Sequence, residues 1–350
     1  MWSNLLVAPH LHQRFPELAE SLKYVRLGAG PTPVRRLDKL GLDGEVWLKD
    51  ESGFGDGGWG GNKVRKLEWI IPEAHRRNRQ TLFTVGGIGT HWGLAAALYG
   101  RDHGIHTVLG LVDQPVDDHV RDQLSRLRAS GATIHRYKNK RRLIAAAPWI
   151  LARHSSRGRP PYYQPAGGSS PVGSLGYVDT AFEIAAQVEA GDLPEPATVV
   201  TAVGSGGTAA GLALGLRLAG LRTRVFGAVV NDALTLDAPA IATLANRIED
   251  LLRERGAVFD PVGIKPGDVT MRDDWLGETY GATTPASLEA EKLAAAAEGL
   301  TLEPVYTAKA LAAVRELGDS LPGPVLYLNT HGPRAMSRPG SGTEPVEGAR

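Results

Sequence analysis

Between Thr81 and Val230, short apolar runs alternate with longer amphipathic ones, and glycines sit at several of the junctions. Thr81 to Val85, His106 to Val112, Ala132 to His135, Thr198 to Ala202 and Thr223 to Val230 read as buried strands. The stretches between them read as helices: one reaching Arg101, then Asp117 to Ala129, Arg141 to Arg153, Leu175 to Glu189, and one ending at Leu218. Strands separated by helices of this length form βαβ units, so parallel sheet covered by helices is expected. Outside this region, Val46 to Asp50 and Pro324 to Leu328 read as buried strands. Lys63 to Arg77, Leu234 to Arg255, Pro285 to Glu298 and Thr307 to Leu317 read as helices. In the first of these, Leu67, Ile70, Ile71 and Ala74 have the spacing of one apolar stripe.

At 350 residues the chain has room for one large or two ordinary domains, and at 42% hydrophobic it can bury a substantial core. Lys+Arg is 39 and Asp+Glu 38, so no basic field is available to hold nucleic acid. With no cysteine there is no disulfide, thiolate nucleophile or cysteine metal site, which fits a cytoplasmic protein. Residues 1–10 lack the basic region and long apolar run of a secretory leader. From Val199 to Leu221 the only charge is Arg217, yet the glycine-rich Gly204-Ser205-Gly206-Gly207-Thr208 argues for strand, loop and helix rather than a membrane span. The Gly-, Pro- and Ser-rich residues 336–350 are expected to be disordered.

The loop Gly57-Gly58-Trp59-Gly60-Gly61 runs into Asn62-Lys63-Val64-Arg65-Lys66-Leu67-Glu68, so Lys63 opens a helix. That position suits a lysine that bonds covalently to a phosphorylated cofactor; taken alone, the motif is more often an exposed lysine after a flexible loop. It is not a nucleotide phosphate loop, because Asn62 precedes the lysine and Val64 follows it. Gly204 to Thr208 lies between a strand and a helix. Successive backbone N–H groups there make a nest for phosphate, or simply a tight turn. Thr90, His91 and Trp92 open a helix after Gly86-Gly87-Ile88-Gly89, where backbone donors could hold a carboxylate. Tyr280 and Tyr306 are either phenolic acid/base groups or core tyrosines. No serine-hydrolase elbow and no His-Glu-x-x-His zinc motif is present, so metal chemistry is not expected.

The Gly60-Gly61-Asn62-Lys63-x-Arg65-Lys66-Leu67-Glu68 run resembles the cofactor-lysine motif of the D-cysteine desulfhydrase and 1-aminocyclopropane-1-carboxylate deaminase family, pyridoxal-phosphate enzymes of the tryptophan-synthase-β-like fold. Pro31-Thr32-Pro33, Gly167 to Tyr177, Gly204 to Thr208 and Glu298 to Ala310 resemble further motifs of that family, in the same order. The resemblance spans about Arg26 to Gly332. It implies a larger cofactor-binding domain from residues 1–65 plus 172–335, a smaller inserted α/β domain from 66–171, and a homodimer. It implies that Lys63 forms the Schiff base with pyridoxal 5'-phosphate and moves the substrate α-proton, with Asn62 before it as in the family. Gly204, Ser205, Gly206, Gly207 and Thr208 would hold the phosphate, Thr90 would face the substrate, and Tyr280 and Tyr306 would flank the reacting carbons. Thr307 falls where the family faces the pyridine nitrogen. A hydroxyl there, in place of the deaminases' carboxylate, favours β-elimination over ring opening. His91 stands where the family has an asparagine near the cofactor's ring hydroxyl, and the bulky Trp92 follows it. Both depart from the pattern around the substrate carboxylate.

The expectation is a pyridoxal-phosphate lyase releasing an α-keto acid, ammonia and a leaving group from a small amino acid, with D-cysteine as the best guess. Deamination of 1-aminocyclopropane-1-carboxylate, β-replacement in a specialised pathway, and a ligand-binding relative without turnover are the other readings.

Overall fold

The computed structural model describes residues 8–332 apart from Asp43 and Asp117; the side chain of His119 is also left out. The expectations for residues 1–7 of the N-terminus and for 336–350 lie outside these residues. The strands are β1 (Val34–Arg36), β2 (Val46–Asp50), β3 (Gly60–Gly61), β4 (Thr81–Gly87), β5 (His106–Val112), β6 (Thr133–Tyr137), β7 (Tyr162–Gln164), β8 (Thr198–Val203), β9 (Arg224–Val229), β10 (Val269–Arg272), β11 (Val325–Asn329) and β12 (His331–Gly332). The helices are α1 (His10–Arg14), α2 (Leu18–Ser21), α3 (Asn62–Arg76), α4 (His91–Asp102), α5 (Asp118–Ala129), α6 (Lys140–Arg153), α7 (Pro171–Glu189), α8 (Gly207–Leu218), α9 (Ala238–Glu254), α10 (Pro285–Glu298) and α11 (Thr307–Leu317).

The six-stranded sheet has the order β1-β2-β11-β8-β9-β10, and the four-stranded sheet the order β6-β5-β4-β7. The smaller sheet is parallel throughout. The larger is parallel except at one edge, where β1 runs antiparallel to β2. That edge strand, with β7 and β10, escapes sequence reading because three or four residues are too few to display a period of two.

Alternation along the central strands explains the layers. Val199, Val225 and Leu326 join the core formed with α7, α8 and α9. Their neighbours Val200, Phe226 and Tyr327 join the core against α10 and α11. Buried on both faces, these strands read as continuous apolar runs. The first core continues through α3 and α4 to Leu82, Leu109 and Leu111 of the smaller sheet, whose other face packs Phe83 and Val108 on Leu143 and Ile150 of α6.

Two helix starts differ from expectation for reasons of capping. α7 begins at Pro171 rather than Leu175, because the Ser170 hydroxyl accepts from Gly173 N and proline suits the first turn. α9 begins at Ala238 rather than Leu234, because Asp237 caps Ala240 N.

A buried polar network fixes α3 against its surroundings. The Arg65 guanidinium pairs with Glu51 at 2.6 Å and Glu183 at 3.0 Å, and Lys49 pairs with Glu183 at 2.6 Å. The Thr32 hydroxyl and Gln187 complete it. Charges buried this deeply stay only while every partner is present, and removing one costs about 3–5 kcal/mol. Among the described residues no helix is long and apolar enough to cross a membrane.

Candidate active site

A cavity of about 300 Å³ opens where the carboxyl ends of β4 and β8 meet the start of α3. Lys63 lies in its wall, just after the Gly60–Gly61 strand. That strand is clamped to the C-terminal segment: Gly61 pairs with His331, and Gly60 with Gly332. Gly61 sits at φ +83, and a Cβ there would fall 2.3 Å from the Thr330 carbonyl, so only glycine fits this approach. No hydrogen bond or ion pair holds the Lys63 amine among the described residues. Burial lowers its pKa from the ordinary lysine value to about 8.

Opposite Lys63, the loop after β8 turns through Gly206 at φ +86 into α8. The cap residue is glycine and offers no side chain, so beyond Gly207 N the first N–H groups of the helix are left for the cavity end. Around them stand the hydroxyls of Ser169 and Ser205, 2.8 Å apart, and Gly207 N donates to Ser169 Oγ at 3.0 Å. The Ser174 hydroxyl is buried beside Gly207 without a hydrogen-bond partner among the described residues.

Lys66 reaches the same place. Its amine donates to Gly167 O at 2.9 Å and Ser169 Oγ at 3.2 Å, and a Cβ on Gly207 would lie 2.9 Å from it. It is a buried amine with no carboxylate partner among the described residues. Burial, and secondarily Lys63, push its pKa well below the lysine range. A buried amine, an uncapped helix start and an orphaned hydroxyl suit a dianionic phosphate. Lys66 carried no role in the sequence reading. Its spacing of three from Lys63 puts the two on one helix face, and that was the available signal.

The structure brings the remaining sequence-derived residues to this cavity as well. Asn62 Nδ2 approaches Thr208 Oγ1 at 3.5 Å. The Thr90 hydroxyl caps α4 by accepting from Gly93 N at 3.1 Å, and its proton can still be donated. The phenol groups of Tyr280 and Tyr306 are hydrogen-bonded to each other. Asp232 holds the Tyr280 segment by accepting from Tyr280 N at 3.1 Å and from the Thr279 hydroxyl. Burial raises the pKa of both phenols. Thr307 is fully buried, and its hydroxyl lies between the N–H and carbonyl of Glu303 at 2.9 and 3.3 Å. The Glu303 carboxylate accepts from Val305 N and Tyr306 N, and burial lifts its pKa to about 7.

His91 forms a ring cluster with Trp59 at 5.0 Å, His331 at 5.3 Å and Tyr306 at 6.1 Å between centroids. Sequence reading had given Trp59 and His331 no part in the site; far apart in the chain, they meet here because β3 pairs with β12. Trp92 turns most of its bulk into the core. Its indole N–H donates to Thr84 Oγ1 at 2.8 Å, and its ring packs under Gly168, where a Cβ would come within 2.6 Å.

The family described as "Pyridoxal-phosphate dependent enzyme" matches residues 25–330. D-cysteine desulfhydrase of Salmonella schwarzengrund is 31% identical over 340 residues, covering 93% of this chain and 97% of the relative. That of Salmonella typhimurium matches to the same extent. Among solved structures, an ACC deaminase homologue superposes with a TM-score of 0.74 at 26% identity, over 93% of this chain and 95% of the other. The threonine deaminase of T.th. superposes with a TM-score of 0.62 at 21% identity, over 94% and 99%, which is a likeness of fold.

Proposed function

This chain belongs to the pyridoxal-phosphate dependent enzymes, a fold-type II lyase among them, and from that premise we propose that it catalyses β-elimination on a small β-substituted amino acid, D-cysteine being the first candidate. For D-cysteine the products are pyruvate, ammonia and hydrogen sulfide, with one water consumed. The observation that carries the reading is the shared cavity: a desolvated lysine with its pKa lowered to about 8 faces an uncapped helix start backed by a second buried lysine.

When bound, pyridoxal 5'-phosphate supplies an aldehyde for amines and a conjugated ring that accepts electrons from the substrate α-carbon. The residues present suit it. Gly204 to Thr208, Ser169 and Lys66 would hold the phosphate, Lys63 the aldehyde carbon, and Thr307 would face the ring nitrogen. Asn62 and His91 would line the ring. Lys63 then takes the α-proton, a task suited to an amine that is neutral near pH 8. Thr90 would bind the substrate, and the Tyr280–Tyr306 pair would move a proton at the leaving group or the β-carbon. A hydroxyl at Thr307 stabilises negative charge on the ring less than a carboxylate, which suits expulsion of a good leaving group better than opening of a carbocycle. A larger β-substituted substrate is a second reading, favoured because the cavity continues to Lys140 and Leu143 at the start of α6. We place the enzyme in the cytoplasm, as a homodimer with the two-domain division that the family resemblance implies.

Borohydride reduction of the purified protein followed by peptide mapping, with keto-acid release assayed across D- and L-amino acids, tests the assignment. An adduct on Lys63, lost together with turnover in Lys63→Ala, is expected. An adduct elsewhere, or turnover retained in that variant, refutes it.

A further inference from the structure

A second depression, of about 180 Å³, lies at the far end of α3 from Lys63. His75, Asn78 and Arg79 approach it from the end of that helix, and Ser156, Arg157 and Arg159 from the link between α6 and β7. Among the described residues no carboxylate lines it, in a chain whose acidic and basic residues are nearly equal in number. Arg79 is committed: its Nη1 donates to Pro160 O at 2.7 Å and joins the two walls. His75 Nε2 meets His103 O at 3.0 Å. The side chains of Arg157 and Arg159 have neither an ion pair nor a hydrogen bond among the described residues.

The turn that presents them is strained. Ser156 and Arg159 exchange backbone hydrogen bonds of 2.9 and 3.0 Å around Arg157 at φ +51 and Gly158 at φ +73. Two successive positive φ values make a type I′ turn, whose first place favours Asn, Asp or Gly. Arginine held there costs roughly 1–2 kcal/mol, and strain of this kind concentrates at ligand-binding positions. The space would hold roughly six waters, enough for a phosphoryl group and its immediate linkage.

The depression is also connected to the active site. β4 begins at its edge with Thr81 and ends at Gly86–Gly87 in the wall of the Lys63 cavity. β7 follows Pro161 and leads to Gly167, in the same wall. α3 carries Lys63 at its other end, about 20 Å away at 1.5 Å per residue.

We propose that this depression binds the phosphoryl group of a small effector, with Arg157 and Arg159 as its principal ligands. The test is calorimetric titration of the cofactor-loaded protein with inorganic pyrophosphate in magnesium-free buffer, against sodium chloride of matched ionic strength. Arg157→Gly is the informative variant, because glycine accepts the positive φ and leaves the turn intact; Arg159→Ala is the second. Saturable binding of one pyrophosphate per chain is expected, weakened roughly tenfold by each substitution. Absence of saturable binding, affinity unchanged from the unsubstituted protein in both variants, or a signal reproduced by sodium chloride overturns the proposal. A single-stranded oligonucleotide that binds more tightly than pyrophosphate through the same arginines overturns the small-molecule assignment.

Discussion

Replacing Lys66 with methionine separates the demands of folding from those of the cofactor. Methionine has similar length and helix propensity, so α3 is retained. In the cofactor-free protein the substitution removes two hydrogen bonds, to Gly167 O and Ser169 Oγ, but also a desolvated amine with no counter-ion. The lost bonds cost about 1 kcal/mol each, and relief of the buried amine opposes them, so stability should change by about 1 kcal/mol or less. With phosphate in place the balance is different. A charge-assisted hydrogen bond in a buried site contributes about 1.5–3 kcal/mol, which is roughly 10- to 150-fold in affinity. The assay is titration of the cofactor-free protein with pyridoxal 5'-phosphate and, in parallel, with pyridoxal. Lys66→Met should erode the preference for the phosphorylated form and leave pyridoxal binding nearly unchanged. An unaltered preference would refute the placement of phosphate at the α8 start, whatever happens to activity.

Other expectations concern protons. Covalent capture of pyridoxal 5'-phosphate by the cofactor-free protein should accelerate as pH rises through about 8, following the neutral form of Lys63; a flat profile from pH 7 to 9 contradicts this. Burial raises the Glu68 pKa to about 8, although Leu27 N and the Tyr24 hydroxyl donate to its Oε1. A carboxyl whose folded pKa exceeds its unfolded value costs stability above the unfolded pKa, and the cost grows until the folded one is reached. Glu68→Gln can keep both hydrogen bonds through its carbonyl and should stabilise the protein by a few kcal/mol at pH 8 but little at pH 4.5. Denaturant titrations giving the same difference at both pH values would contradict it. Tyr280→Phe and Tyr306→Phe should each lower kcat about 100-fold or more, and the double variant should be little worse than either, because one hydroxyl pair is being broken. Additive losses would mean that the phenols act separately.

The long elements were legible because their period is dictated by burial. Pro285–Glu298 and Thr307–Leu317 coincide with their expected limits, since Thr284 caps the first helix and the Glu303 carboxylate meets the N–H groups just before the second. Three-residue strands were not legible, and neither was the antiparallel edge, because partner choice is a tertiary property. The same holds within the cavity. Lys63 announces itself through its glycines, but His331 reaches His91 only because β12 pairs with β3 across some 270 residues of chain. The departure at Trp92 looked like a change in the substrate pocket. The structure places Trp92 in the cavity wall, with Thr84 and Gly168 accommodating most of the indole.

The two faces of α3 explain why this helix, rather than a loop, carries the lysine. On one face Arg65 is locked to Glu51 and Glu183 with all its charges paired, so the backbone beneath Lys63 cannot relax. On the other, Lys63 and Lys66 are desolvated with no counter-ion among the described residues, near a second helix start that adds positive potential. Left to itself the second face would move until its amines reached water; the paired network on the first prevents this. A helix held in that state stabilises anions and neutral amines together. A phosphate end and a lysine competent to attack an aldehyde at neutral pH therefore arise from one arrangement. Loosening the network, by Glu51→Gln for example, should raise the Lys63 pKa toward its ordinary value before the protein unfolds. It would shift the capture profile to higher pH with the cofactor contacts themselves intact.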